Sequence, residues 1–448
     1  MSPRRKTRKR RKKPAAGGAV AASSAGIANQ PQDALLYTAE RIGREWGGAG
    51  DEELEQAATL AVLRRHLFGV LRLWGYADPS LCDPATDDRA AIEAWWQFCD
   101  QAGCPLLDTG LVPRAESGPD PCQAAALAQP LDPICDTGEV YQQLREASLG
   151  RTKNGRLTLR GGRTQRRRSG LFFTPDWMAS RLSALLLQPW PWAGGRTPAI
   201  LDPACGSGKL LVACLERLLD QKVIGVAERP AAVRELVPGV IRGVDIDPVS
   251  VALSRTALWM LADPRRGPMG GLDEVIVAGD SLLGTVHGKS TGGKQGVVWE
   301  QVLPAGMGPD ERGFDLVIAN PPFEILKGYA RRQGLKRYVE SIRKSGYELA
   351  LHGNLNTSRL FLERALQLLA PHGRLGFVLP FGFLMDRVAG PLRVHLLRRG
   401  WIRSVEFYPE SAHAFTGVGQ SVVLLAAGMD AGGGDRLRMR NGTVRSRP

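Results

Sequence analysis

Residues 314–323 read FDLVIANPPF, an apolar run of strand length that ends on an amide, two prolines and an aromatic ring. This combination suits chemistry on an exocyclic aryl amine, a poor nucleophile because its lone pair is delocalised into the ring. If the Asn320 side-chain oxygen and the Pro321 carbonyl both accept hydrogen bonds from that amine, they favour the pyramidal geometry that frees the lone pair. Pro321 and Pro322 stiffen this backbone and bring no N–H to compete for its carbonyls. Phe323 offers a face on which an extruded base can stack. No metal, acidic nucleophile or thiolate is needed.

Three other strings describe what would react with such an amine. DPACGSGKLL, residues 202–211, nearly spells a phosphate loop, but Pro203 stands where the first glycine belongs and Leu210 where the hydroxyl belongs. It also fails the dinucleotide fingerprint, because Leu211 occupies the third glycine position. What remains is a strand ending at Asp202, a turn through Gly206 and Gly208, and a helix start that presents backbone N–H groups to something small and anionic, such as a carboxylate. GVDIDP, residues 243–248, ends the next strand. There Asp245 is placed to take both ribose hydroxyls of an adenosine, while Asp247 caps a helix that opens on Pro248. In GDSLL, residues 279–283, Asp280 is placed to accept from an adenine amine. A carboxylate, a ribose and an adenine together describe S-adenosylmethionine.

The elements that must position these strings are legible as short apolar runs at 199–203, 240–245, 274–278, 314–319, 374–379, 404–408 and 421–426. Helical patterns at 209–219, 248–261 and 358–369 lie between several of them. The alternation predicts an α/β fold with a mainly parallel sheet covered on both faces, whose ligands sit outside the carboxyl ends of the strands. All four chemistry-bearing strings fall at such ends.

Around this region the composition shifts. Residues 1–31 are basic, then rich in Ala, Gly and Ser, and are expected to be a disordered tail. Residues 32–150 read as a helical N-terminal domain, with Leu60, Leu63, Leu67, Val70, Leu71 and Trp74 at helical spacing. A second helix over 90–99 carries Trp95 and Trp96, read as core, and 103–133 should be irregular. Residues 151–169 read as a basic linker, 170–430 as the catalytic domain and 431–448 as a flexible C-terminal tail.

The formal net charge is +14, and nine of the positive residues fall between Arg4 and Lys13. A second acid-free run, 151–168, carries eight more. Such runs suit a polyanion, since each neutralised phosphate releases counterions. The tail also fits a nuclear import signal, though nothing else points to a nucleus. An odd count of seven cysteines argues for free thiols in a reducing compartment, and Cys99, Cys104, Cys122 and Cys135 lack the paired spacing of a zinc site. None of the six histidines pairs at metal-ligand spacing. Neither a membrane-spanning run nor a secretory signal is visible, so the chain is expected to stay in the compartment that makes it. The tripeptide Pro121-Cys122-Gln123 matches a cytosine-methyltransferase nucleophile but precedes the glycine loop, and NPPF fills the slot that nucleophile would need.

With these strings in order, the segment from about 138 to 427 resembles the gamma-class adenine-N6 DNA methyltransferases of restriction-modification and phage-defence systems. GLFFTP (170–175) is similar to the family's opening motif, and GEVYQQL (138–144) to the helix before it. GNLNTSRLFLERAL (353–366) and GRLGFVLPFGFL (373–384) resemble its later structural motifs. The resemblance implies a seven-stranded, Rossmann-like, S-adenosylmethionine-dependent fold with a helical N-terminal domain. It implies that Thr174, Asp202, Ala204, Gly206, Gly208, Asp245, Ile246, Asp280 and Ser281 bind cofactor, and that Asn320, Pro321, Pro322 and Phe323 hold a flipped adenine of double-stranded DNA. A bacterial, cytoplasmic, nucleoid-associated location follows from it.

Phe323 stands where many members carry Tyr, and it keeps the stacking face. Single-chain members continue into a target-recognition domain, whereas this sequence stops at Pro448. Sequence readout is therefore expected from the N-terminal helices, from a separate specificity or defence-system subunit, or from the loop 324–352. That loop carries Lys327, Arg331, Arg332, Lys336 and Arg337 and reads equally as a DNA-backbone contact or a solvated basic helix. Two rivals remain open: an amine methyltransferase acting on RNA bases or protein glutamine, and a non-catalytic DNA-binding subunit that retains the fold.

Overall fold

The computed structural model describes residues 147–154, 156–161, 174–187, 197–285, 296–303, 313–326, 333–415, 420–428 and 438–441, with isolated residues between 35 and 145. Eight strands form the central sheet: β1 Ile200–Asp202, β2 Ile241–Asp245, β3 Ile276–Ala278, β4 Phe314–Ala319, β5 Leu369–Pro380, β6 Ile402–Tyr408, β7 Val422–Gly428 and β8 Arg438–Asn441. Their order is β8-β6-β7-β5-β4-β1-β2-β3. Strands β3, β2, β1, β4 and β5 are mutually parallel, and β7 inserts antiparallel between β5 and β6.

The seven expected runs are β1 to β7, the Rossmann-like sheet that the sequence predicts. The eighth strand is a correction: Arg438–Asn441 lies in the stretch read as a flexible tail and pairs parallel to β6. Its short, basic sequence lacks the apolar alternation that marks a strand, as an edge strand can.

Every residue of β4 is buried, and alternate residues serve opposite faces. Leu316 and Ile318 join one core, while Val317 and Ala319 join the other. The first core is built with α1 Asp176–Leu186, α2 Lys209–Gln221, α3 Arg229–Val240 and α4 Pro248–Leu261. The second holds residues from α5 Gln333–Arg343, α6 Thr357–Leu368 and α7 Gly390–Arg398. Leu35, Leu54, Leu63 and Leu67, from the N-terminal part, are at most 1% exposed and belong to the first core. The described residues of the helical N-terminal segment thus bury their apolar faces in the same core as α1, α2 and α4.

Local chemistry sets the helix starts that matter. Asp247 is extended, accepts from Val249 N at 3.2 Å and is followed by Pro248 at the first helical position, so α4 begins there as the sequence implies. At the start of α2, Gly208 adopts φ +84, and a Cβ there would lie 3.1 Å from the Ser254 backbone.

Part of the basic run expected as linker is ordered. Ala147–Arg151 pairs antiparallel with Leu157–Gly161, and Thr152 N donates to Arg156 O at 2.9 Å across the turn. The hairpin signal there is Asn154-Gly155, flanked by alternating Leu157 and Leu159. The loop 324–352 likewise contains α5.

Candidate active site

Adjacent parallel strands bring their carboxyl ends to one edge, and the register staggers them. Asp202 of β1 lies opposite Gly243, so Asp245 projects beyond it at the end of β2. The ladder continues through Cys205 N to Val244 O at 2.9 Å, which delivers Gly206 N to Asp245 Oδ2 at 2.9 Å. Asp245 Oδ1 accepts from Asp247 N at 2.9 Å, leaving each oxygen further lone-pair capacity toward the cleft. Ser254 Oγ donates to Gly206 O at 2.8 Å and holds the turn.

A cavity of about 420 Å³ opens over this edge, within the range of about 300–1,000 Å³ usual for small-molecule sites. Its wall brings together Thr174, Asp202, Ala204, Gly206, Asp245, Ile246, Asp280, Ser281, Asn320 and Pro322. Gly208, Pro321 and Phe323 are not among its lining residues. Gly208 instead opens α2 and Pro321 is buried behind the wall. Phe323 packs edge-on to Phe415, with ring centroids 6.5 Å apart.

Burial shapes the electrostatics. Asp245 is pushed up to about 6 by desolvation, although the Asp247 and Gly206 amides pull it back. Asp202, 1% exposed and bonded by Ala204 N at 3.0 Å, is pushed up to about 8 by the same cause. Asp280 is also raised by burial, against donors from Leu282, Tyr338 and Leu283. Ile246 is 63% exposed, an apolar side chain offered to the cavity.

At the end of β4, Asn320 Nδ2 donates to Thr174 Oγ1 at 3.1 Å, which turns the amide oxygen away from Thr174. Thr174 is carried by the segment leading into α1, and α1 is fastened to the sheet by the paired Arg181 and Glu406 and by Trp177, whose ring packs tilted against Tyr408 with centroids 4.9 Å apart. Behind NPPF, the Thr357 hydroxyl donates to Pro322 O at 2.5 Å, and Thr357 N donates to Glu324 O at 2.9 Å. The stiff string is therefore anchored at its exit to the first residue of α6.

Residues 240–415 match the model of the family described as Eco57I restriction-modification methylase. That segment is similar to the restriction-modification methylases, and the chain is similar to two curated proteins. It is 26% identical over 241 residues to the type I restriction enzyme MjaIX methylase subunit of Methanocaldococcus jannaschii, covering 54% of this chain and 34% of that one. It is 27% identical over 195 residues to the type II methyltransferase M.XhoI of Xanthomonas vasicola, covering 43% of this chain and 30% of that one. The chain thus spans about a third of the length of these relatives. A cryo-electron-microscopy structure of a DrdV–DNA complex aligns over 92% of this chain and 41% of that chain at 14% identity and a TM-score of 0.52, a likeness of fold.

The cavity also holds residues that the sequence did not announce. Tyr141 and Arg145, from the helix before the opening motif, both bond Asp247 Oδ2, at 2.5 and 2.9 Å. Lys209, read only as part of a broken phosphate loop, lines the cavity and pairs with Asp176 at 2.5 Å. Glu324 and Tyr338 line it as well. Thr357 was present in the string GNLNTS, but nothing in its type announced a bond to Pro322.

Of the candidate DNA contacts, Lys336 and Arg337 are exposed on α5, whereas Lys327, Arg331 and Arg332 lie outside the described residues. The basic tail, Trp95, Trp96 and the Pro121-Cys122-Gln123 tripeptide also lie outside them. So do Cys99, Cys122 and Cys135, while Cys104 is buried. Among the described residues no cluster of His, Cys, Asp and Glu could hold a metal, and no helix is long and apolar enough to cross a membrane.

Proposed function

We propose that the chain is a site-specific DNA methyltransferase that transfers a methyl group to the N6 amine of a flipped adenine in a restriction-modification or phage-defence system. The observation that carries this reading is the Thr174–Asn320 hydrogen bond, which joins the opening motif to NPPF across a cavity that also contains Asp245 and Asp280. S-adenosylmethionine, when bound, supplies the electrophilic methyl group.

The residues present suit that molecule. Asp245 receives the ribose hydroxyls, Ile246 packs on the adenine, Asp280 accepts from its amine, and the turn at Gly206 with the start of α2 faces the amino-acid end. Asn320, held by Thr174, directs its amide oxygen at the substrate amine, and the anchoring of Pro322 through Thr357 keeps the neighbouring carbonyls in place. Phe323, braced by Phe415, gives the extruded base its stacking surface. Flipping costs a few kcal/mol, and cationic contacts to phosphate offset it.

One relative is named as a methylase subunit, which supports sequence readout through a separate specificity or defence-system subunit on duplex DNA. Tritiated methyl transfer to DNA, RNA and protein mixtures tests the reading. Label should enter DNA as N6-methyladenine, and Asn320→Ala should abolish transfer while cofactor binding survives. Label in RNA or in protein glutamine assigns a different substrate. Activity that persists without Asn320 overturns the mechanism, and cofactor binding without turnover on any DNA points to a non-catalytic subunit.

A further inference from the structure

Asp247 does more than open α4. Its Oδ1 accepts from Val249 N at 3.2 Å and its Oδ2 from Ser250 Oγ at 2.9 Å, bonds within its own helix that complete the cap. Oδ2 then takes two further donors from a helix far earlier in the chain, Tyr141 Oη at 2.5 Å and Arg145 Nη1 at 2.9 Å. Arg145 Nη1 also donates to Tyr141 Oη at 3.4 Å, and its guanidinium lies 5.8 Å from the centre of the Tyr141 ring. Helix capping needs neither residue. Both line the cavity together with Asp245, Ile246 and Asp247.

The backbone of Asp247 carries the other half of the arrangement. Its N–H donates to Asp245 Oδ1 at 2.9 Å, and Gly206 N holds Asp245 Oδ2 from the other side at 2.9 Å. Asp247 therefore joins the early helix, through its side chain, to the carboxylate read as the ribose acceptor, through its amide. Ile246, the apolar side chain offered to the cavity, lies between the two aspartates in the chain. We infer that Tyr141 and Arg145 are positioning residues: by gripping the Asp247 side chain they fix the turn 245–247 and aim Asp245 at the ribose hydroxyls, so the helix before the opening motif forms part of the cofactor site. The inference rests on the cofactor reading above. Desolvation raises the Asp245 carboxyl, and the Arg145 cation is among the groups that pull it back toward the ionised, acceptor form.

The test is calorimetric titration of the full chain with S-adenosylhomocysteine and with its 2′-deoxyribose analogue. The wild type should prefer the ribosyl ligand, because a site built to pair a hydroxyl rejects an analogue lacking it. Tyr141→Phe combined with Arg145→Met removes both outside donors, keeps the ring and the aliphatic stem, and leaves the cap of α4 intact. The double variant should bind the ribosyl ligand roughly tenfold more weakly, about the worth of one hydrogen bond to a charged group, and its preference for that ligand should narrow by about threefold or more. In an Asp247→Asn background, which keeps a capping oxygen and loses the charge, the same pair of substitutions should cost little further. A role confined to docking the helix would lower the melting temperature of the ligand-free chain and weaken both ligands in equal proportion. That result, an unchanged preference, or a full additional loss in the Asp247→Asn background overturns the assignment. A wild type that binds both ligands equally overturns the ribose role of Asp245 and this role with it, and one that binds neither overturns the cofactor reading as a whole.

Discussion

At the scale of residues, a site carboxylate held near neutrality makes a measurable pH signature. Asp245 is pushed up to about 6 by burial, above the ordinary carboxylate range near 4. In the ligand-free protein a raised acid pKa favours the folded state as pH falls, so this group's contribution to stability grows from about pH 6 down to about 4. Ribose hydroxyls need the ionised form as acceptor, so cofactor affinity should run the opposite way. Binding of S-adenosylhomocysteine is expected to be constant above about pH 7 and to weaken by up to about tenfold per unit below pH 6. Thermal shift at pH 5 and pH 7.5 reads this directly, and Asp245→Asn should flatten the difference; an undiminished shift at pH 5 counts against the assigned role. Thr357→Ala tests the anchor of the proposed amine-binding string. It removes the hydroxyl that donates to Pro322 O and accepts from Glu324 N, should cost about 1 kcal/mol of stability, and should lower kcat while leaving cofactor affinity unchanged. An unchanged kcat would show that the string needs no such support.

Among the elements, α5 is the one whose function the sequence left divided between a DNA contact and a solvated helix. It presents Lys336 and Arg337 outward while Val339 and Ile342 are buried in the second core. Lys336 is 3.9 Å from Glu340, an exposed pair weak enough to be exchanged for a phosphate. Replacing Lys336 and Arg337 by Ala should weaken binding to all duplexes alike. The slope of log affinity against log salt should become shallower by about 1.8, that is 0.9 per lost phosphate contact. Cofactor binding should be unaffected. An identical salt slope would return α5 to the solvated reading. One of the two readings of this loop is a basic helix, and Gln333–Arg343 is one, with Val339 and Ile342 turned into the core. The strands that carry chemistry were legible because each is a continuous apolar run closed by a polar residue, as in β2 ending on Asp245 or β4 ending before Asn320. Arg438–Asn441 was not, since an edge strand takes its order from a neighbour's free hydrogen-bonding groups rather than from its own side chains.

For the whole molecule, the shared first core makes a prediction about cooperativity. Leu63 is fully buried in the cluster that also contains Met178, Leu211 and Leu253. Leu63→Ala should cost about 2–5 kcal/mol and lower the single melting transition of the protein, including the part stabilised by cofactor. A separate early transition, with the ligand-responsive one unmoved, would show instead that the N-terminal helices unfold on their own. The sequence alone determined the order of the strands along the chain, the strings at their ends and the kind of reaction those residue types permit, because these depend on local periodicity and on side-chain chemistry. Only the tertiary structure decided which residues meet. The bond from Thr174 to Asn320 and the clasp of Tyr141 and Arg145 on Asp247 join positions far apart in sequence. Such meetings follow from strand order and from how helices pack over the sheet, and no spacing within a single segment encodes either.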